Sequence, residues 1–93
     1  MMRVFIAVLA FASFAPVFAA PPAGAAACSG CHAASDADAS PVPRLIGRDA
    51  ADIIRAMQEF RAGTRPATVM DRIAKGFTDD ETRAIAAWYA GRR

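Results

Sequence analysis

The chain contains 93 residues, carries a formal net charge of +2 and is 55% hydrophobic. Its length allows one small domain, and the lack of a basic patch interleaved with aromatic residues argues against nucleic acid as a partner. A domain of this size buries little apolar surface by itself, so we expect a disulfide, a metal or a large ligand to supplement its core.

The N-terminal segment has the pattern of a secretory signal. A short basic start, Met1 to Arg3, precedes an apolar run and then the small residues of Val17-Phe18-Ala19. The pattern predicts a signal peptide over residues 1–20, export to the periplasm, and a nearly neutral domain over residues 21–93. The alternative is a retained membrane anchor, but the run falls short of the about 20 apolar residues that span a bilayer.

The segment Cys28-Ser29-Gly30-Cys31-His32 follows a stretch of small residues that can open a short helix. C-x-x-C-H is the attachment signature of a c-type haem. Two thiols at this spacing on a helical turn can both reach the vinyl groups of a haem, and the next residue then directs its imidazole at the iron. The predicted export agrees with this interpretation, because bacteria attach haem outside the cytoplasm.

Other chemistry of the two cysteines fits the sequence less well. A thioredoxin-like pair would lie in a βαβ unit, and no strand is indicated. A zinc site lacks ligands because His32 is the single histidine, and a disulfide would close too short a loop to stabilise much. The remaining alternative is a haemless copper- or other metal-binding protein. Its ligands would be Cys28, Cys31, His32 and Met70.

The segment from Pro43 to Gly47 is predicted to form a turn that supports the imidazole. A ligating histidine normally donates its other ring N–H to a fixed acceptor. We expect the Pro43 carbonyl to be that acceptor, because the proline ring fixes φ and leaves no competing amide. An ordinary loop proline is the alternative.

Two helices are predicted in the second half of the chain. Asp49 has the position of an N-cap and Gly63 that of a helix end, with apolar residues at helical spacing between them. Thr78 to Glu81 matches a capping box, and a final helix is predicted over Asp79–Ala90 before Gly91. The segment 69–73 between these helices is ambiguous, and no segment alternates as a strand does.

One of the two methionines beyond the signal is expected to be the second axial ligand. Met57 falls on the apolar stripe of the middle helix, which predicts core packing. Met70 follows a proline-containing loop, from which a thioether can approach an iron opposite His32; the alternative is a gap-filling side chain. A His/Met pair raises the potential of cytochromes c and leaves the iron no open position, which predicts electron transfer.

These residues resemble the class I cytochromes c along the whole predicted domain. The matching features are the C-x-x-C-H segment, the P-x-L-x-G pattern from Pro43 to Gly47, the middle helix, Met70 and an aromatic C-terminal helix. The resemblance implies an all-α fold of three or four short helices around one covalently bound haem c. It further implies thioether bonds at Cys28 and Cys31, axial ligands at His32 and Met70, and an imidazole acceptor at Pro43.

A narrower likeness covers about the last third of the chain. Phe60 to Pro66, Val69-Met70 and Ile73 to Glu81 are similar to the cytochrome subunit of sulfide dehydrogenase (flavocytochrome c). That likeness implies an electron carrier rather than an enzyme, with redox proteins, including a sulfide-oxidising flavoprotein, as partners. The chain departs from class I cytochromes at its N-terminal helix, where only Ala and Gly are available to cross the C-terminal helix near Trp88.

Overall fold

The computed structural model describes residues 20–32 and 41–92 and contains four helices and no strand within them. In chain order they are α1 (Ala25–Cys28), α2 (Ala50–Ala62), α3 (Met70–Ala74) and α4 (Asp79–Ala90). α2 contacts both α3 and α4. The predicted all-α class is confirmed for these residues, and the arrangement agrees with a class I cytochrome c fold.

The predicted signal peptide lies outside the described residues, except for its last position. Over residues 20–32 and 41–92, no helix is long and apolar enough to span a bilayer.

The helix α2 has the bounds that its capping residues predict. The Asp49 side chain accepts a hydrogen bond from the backbone N–H of Ala51 at 2.8 Å. At the other end Gly63 takes the left-handed conformation at φ 75°, and its amide donates to the carbonyl of Phe60. A residue without a Cβ adopts that conformation at least cost, so the chain turns away from the helix there.

The helix α4 begins with the predicted capping box. The Thr78 hydroxyl accepts from the Glu81 amide at 3.1 Å, and the Glu81 carboxylate accepts from the Thr78 amide at 3.0 Å. The bond that the carboxylate accepts from the Thr78 amide, and then its interaction with the Thr78 side chain, hold the pKa of Glu81 below its ordinary value. The helix ends at Ala90, where the Gly91 amide donates to the Ala87 carbonyl, so the predicted bounds Asp79–Ala90 are confirmed.

The lowered pKa of Glu81 gives a pH prediction. A depressed folded-state pKa stabilises the protein above the unfolded pKa, and this stabilisation is lost as the pH falls through the folded value. Glu81→Gln keeps a side-chain acceptor in the capping box but removes the charge. We therefore expect the variant to unfold at lower denaturant concentration than the wild type at neutral pH. The difference should shrink as the pH falls below about 4.3, the ordinary pKa of a glutamate, and an equal difference at neutral and at acid pH would contradict the assignment.

The buried core is small and lies between α1, α2 and α4. Ala25, Ile53, Ile85, Ala86 and Tyr89 form one buried cluster. The Tyr89 hydroxyl donates to the carbonyl of Ala25, and burial raises the pKa of this phenol. Among the described residues no large side chain is fully buried, so the polypeptide encloses little apolar volume by itself.

The crossing of α1 and α4 depends on the small residues that precede the first cysteine. Gly24 has φ +87°, and a Cβ added there would lie 2.5 Å from Cε1 of Phe77 and 3.4 Å from Cδ1 of Ile85. Ala25, the next residue, is completely buried. The backbone of α1 therefore reaches α4 closely, and the aromatic rings of the contact come from Phe77 and Tyr89 rather than from the N-terminal helix.

Candidate haem site

The turn that carries the two cysteines continues directly from α1. The amides of Cys31 and His32 both donate to the carbonyl of Cys28, at 3.3 Å and 2.9 Å. Both thiols are free, with Cys28 half-buried and Cys31 exposed. Burial raises the pKa of the Cys28 thiol, whose Sγ donates to the Gly24 carbonyl at 3.5 Å. The turn thus presents two thiols that are not joined in a disulfide, and an imidazole, within five consecutive residues.

The imidazole of His32 is oriented by the carbonyl that the sequence predicts. Nδ1 of His32 lies 2.5 Å from the Pro43 oxygen. A carbonyl oxygen can only accept, so Nδ1 carries the proton. In the neutral ring Nε2 then keeps its lone pair, which is the form that ligates a metal.

The Pro43 carbonyl is held in place by the turn that follows it. The Arg48 amide donates to the Leu45 carbonyl at 3.1 Å, and the Gly47 amide donates to the Tyr89 carbonyl at 3.0 Å. Gly47 has φ +77°, which explains why the P-x-L-x-G pattern ends in glycine. The loop is therefore fastened to the last turns of α4, and through it the acceptor of the His32 proton is fixed to the core.

The two methionines lie in different environments. Met57 is half-buried and lines a narrow cleft between α2 and α4 together with Ile54 and Thr82, so it lies outside the buried core in which the sequence places it. Met70 is the first residue of α3 and is half-buried. The ambiguous segment 69–73 is thus mostly helical, and α3 is anchored by the completely buried Ala74.

The residues present fit a c-type haem. Their donor set comprises two free thiols, an imidazole with Nε2 available, and a half-buried thioether. Several apolar side chains beside the core are only half-buried, which leaves contact surface for an apolar macrocycle. They are Leu45, Ile46, Ile54, Phe77 and Trp88.

Comparison with known proteins gives the same family. No family model matches the chain. It is 37% identical over 62 residues, 67% of its length, to the cytochrome subunit of sulfide dehydrogenase of Chlorobaculum tepidum. It is 39% identical over 62 residues to cytochrome c-552 of Acidithiobacillus ferridurans. It is 40% identical over 65 residues to the thiosulfate dehydrogenase electron acceptor of Stutzerimonas stutzeri.

The chain is homologous to cytochromes c. The three matches cover 67%, 67% and 68% of this chain, but only 56%, 27% and 30% of the respective relatives. The chain therefore spans about half of the first relative and less than a third of the other two. By their names, the first and third relatives are electron-transfer components of sulfur-oxidising systems rather than catalytic enzymes.

The haemless metal-binding alternative would use Cys28, Cys31, His32 and Met70. Within residues 20–32 and 41–92, no three His, Cys, Asp or Glu side chains are grouped closely enough to hold a metal ion.

Two contacts that support the site were not predicted from the sequence. The Tyr89 hydroxyl bonds to Ala25, three residues before Cys28, and the Tyr89 carbonyl holds Gly47. One residue of α4 therefore fastens both the cysteine turn and the Pro43 loop. The only sequence signal for it is an aromatic residue on the apolar face of the last helix, which does not distinguish a hydrogen-bonding tyrosine from a packing one.

Removing the first thiol is expected to reduce the yield of haem-bearing protein. Cys28→Ser leaves a single thioether through Cys31, so we expect a several-fold lower holo yield. Ser29→Ala is the matched control, because it lies between the cysteines and removes the hydroxyl that bonds to the Ala26 carbonyl and interacts with Tyr89, but no thiol. Haem that resists acid–acetone extraction measures the outcome. An unchanged yield for Cys28→Ser would argue against attachment at that sulfur.

Proposed function

We propose that this cytochrome c homologue is an exported mono-haem electron carrier. One haem c is attached through Cys28 and Cys31 and ligated by His32 and Met70. The observation that carries the proposal is the bond from His32 Nδ1 to the Pro43 carbonyl beside two free thiols. It fixes the imidazole in the tautomer that an axial ligand needs.

A bound haem supplies a one-electron couple, and the chain's own residues hold it and set its properties. The two thiols prevent its loss, and the His32 imidazole donates the Nε2 lone pair. The acceptor at Pro43 raises the basicity of that nitrogen. The Met70 thioether would be the weaker ligand, which would favour a high potential and keep small molecules from the iron.

Export is part of the proposal. Residues 1–20 direct the chain to the periplasm and are removed, and residues 21–93 form the cytochrome domain. The protein contacts a membrane only if the signal segment is retained. This assignment rests on the sequence pattern of the first 20 residues.

The electron donor that we propose is the flavoprotein subunit of a sulfide dehydrogenase. The name of the Chlorobaculum tepidum relative supports this choice, as does the likeness of the segment from Phe60 to Glu81. The Stutzerimonas stutzeri relative is named as the electron acceptor of thiosulfate dehydrogenase. A thiosulfate dehydrogenase is therefore the second donor with which the flavoprotein should be compared.

The test begins with protein exported from cells that carry the haem-attachment machinery. The oxidised holo protein is mixed with a sulfide dehydrogenase flavoprotein and sulfide, and haem reduction is followed in the visible spectrum. Sulfide alone, the flavoprotein alone, and a thiosulfate dehydrogenase with thiosulfate are the controls. Fast reduction only with flavoprotein and sulfide is expected.

Two results would contradict the proposal at different levels. If the flavoprotein reduces an unrelated cytochrome c but not this protein, the proposed donor is wrong. If the exported protein is colourless and binds copper, the haemless alternative is correct and the carrier function is wrong.

A further inference from the structure

The connection between α2 and α4 carries the proposed axial ligand, and the polypeptide alone packs it weakly. It runs from Thr64 to Thr78 and contains Met70 at the start of α3. Within this stretch only Ala74 is buried by other parts of the chain. A segment that buries few apolar side chains opens locally at a lower cost than the whole protein unfolds. Contacts at the two ends of the connection therefore bear directly on how firmly Met70 is held.

The start of the connection is fastened to the last turn of α2 by Glu59. Its carboxylate accepts from Nε of Arg65 at 2.9 Å, and its backbone carbonyl accepts from the Thr64 amide at 3.0 Å. The Arg65 guanidinium also lies over the ring of Phe60, 5.6 Å from the centroid, which is within the range of a cation–π contact. One residue of α2 thus holds the first two residues of the connection.

The end of the connection is fastened to the same turn of α2 by a second ion pair. Nη1 of Arg61 donates to Oδ1 of Asp79 at 2.8 Å. Asp79 is the first residue of α4 and lies 18 residues after Arg61 in the chain. The pair therefore ties together two helix ends, which are the parts of helices that fray. Both ends of the segment that carries Met70 are held by side chains of one helical turn.

We propose that Glu59 and Arg61 are positioning residues for the sixth ligand, and that their two ion pairs set the rate at which the Met70 thioether leaves the iron. The inference rests on the function proposed above, in which Met70 ligates the haem. Exposed ion pairs contribute little to global stability, but these two act on the local opening of the connection that carries the ligand. Because both pairs are partly exposed, added salt weakens them and with them the hold on Met70.

The test measures displacement of the thioether by added imidazole in the ferric holo protein. The exchange replaces one lone-pair donor by another and transfers no electron. Imidazole is used in its neutral form, so that a changed protein charge does not alter its approach. At saturating imidazole the observed rate approaches the rate at which the sulfur leaves, and the visible spectrum follows it. The variants are Glu59→Gln and Arg61→Gln, with Arg61→Lys as the conservative replacement.

An ion pair within a single helix supplies the matched controls. Arg55 pairs with Asp52, three residues before it in the first half of α2. Arg55→Gln removes the same charge from the same helix as Arg61→Gln without touching the connection. Asp52→Asn is the corresponding control for Glu59→Gln. Denaturant unfolding of every variant measures its global stability.

At low salt we expect Glu59→Gln and Arg61→Gln each to speed displacement roughly two- to five-fold, the factor that corresponds to the ordinary free energy of an exposed pair. Arg61→Lys should stay near the wild-type rate, and the two controls should change it less than about 1.5-fold, as sites apart from the connection do. The wild-type rate should rise with ionic strength, and a double variant of Glu59→Gln and Arg61→Gln should lose most of that dependence.

Hydrogen exchange of the holo protein distinguishes positioning from a general loss of stability. The amides of Ile73 and Gly76 are bonded within the connection. They should exchange faster in Glu59→Gln and Arg61→Gln, while amides in the middle of α2 and α4 keep their wild-type protection. Displacement rates that match those of the controls, or an equal loss of protection throughout the protein, would overturn the inference.

Met70→Leu separates this inference from the proposed function. If that variant keeps the wild-type spectrum, Met70 is not the ligand, and the proposed ligation fails together with this inference. If it opens the sixth position while Glu59→Gln and Arg61→Gln behave like their controls, the proposed ligation stands and this inference alone is wrong.

Discussion

Replacing Met70 with leucine is expected to lower the midpoint potential of the holo protein on the order of 0.1 V, within the roughly 0.8 V range that axial ligands span. Leucine has nearly the volume of methionine, so packing at the start of α3 should be preserved at a cost below about 1.5 kcal/mol. Only the sulfur is lost. The sixth position then opens, and we expect the spectrum to lose its low-spin character and to respond to added cyanide or imidazole.

Met57→Leu is the matched control for this prediction. Met57 lines the cleft between α2 and α4 rather than starting α3, so its replacement should leave the potential and the spectrum unchanged. Redox titration and visible spectroscopy of the two variants are the measurements. A wild-type potential in Met70→Leu would show that Met70 only fills space, and a shift in Met57→Leu instead would move the ligand to the middle helix.

Gly24→Ala is expected to destabilise the folded protein by about 2–5 kcal/mol. The residue stands at φ +87°, which costs an L-residue about 1–2 kcal/mol. The added methyl group would also lie 2.5 Å from Cε1 of Phe77, and such overpacking typically costs about 1–3 kcal/mol. Since small domains have only about 5–15 kcal/mol of stability, this is a large fraction of the total. Denaturant unfolding of the holo protein measures the loss.

Gly63→Ala separates the backbone effect from the steric effect. Gly63 has a similar φ of +75°, but a Cβ there would meet no atom within 4 Å. We expect its loss to stay near the left-handed cost of about 1–2 kcal/mol. Adding Phe77→Leu to Gly24→Ala should recover part of the loss by relieving the contact. Equal destabilisation by the two glycine variants would show that α1 does not approach Phe77 closely.

The bounds of α2 and α4 could be predicted because their signals are local. Asp49 and Gly63 each act on backbone groups within four residues, and the capping box of Thr78 and Glu81 closes on itself. Such hydrogen bonds join residues that are close in the chain, so the local sequence is enough to predict them. The same holds for the cysteine turn, whose chemistry lies in five consecutive residues.

The helix α3 could not be predicted because it has almost no local signal. It is five residues long, and its N-cap, Val69, makes no side-chain capping bond. An isolated helix of that length is not stable in water. Its position depends on burial of Ala74, which is a tertiary contact.

The resemblance to class I cytochromes c leads us to expect α1 to cross α4, but the ring that this crossing brings against Gly24 could not be predicted from the sequence. The presence of Gly24 before a short alanine run does not reveal which ring it faces, because Phe77 is more than fifty residues away in the chain. The bond between His32 and Pro43 could be predicted only through the chemistry of a ligating imidazole. The structure contains that hydrogen bond, whereas ligation of the haem by Met70 stays a prediction.

The most direct test of the account is the mass of the intact polypeptide, exported and purified from cells with a working haem-attachment apparatus. We predict the mass of the processed chain plus one haem, retained after acid–acetone extraction. The same preparation of the Cys28→Ser/Cys31→Ser double variant should show the processed chain alone. A wild-type mass equal to that of the unmodified polypeptide would contradict covalent haem attachment and with it the proposed function.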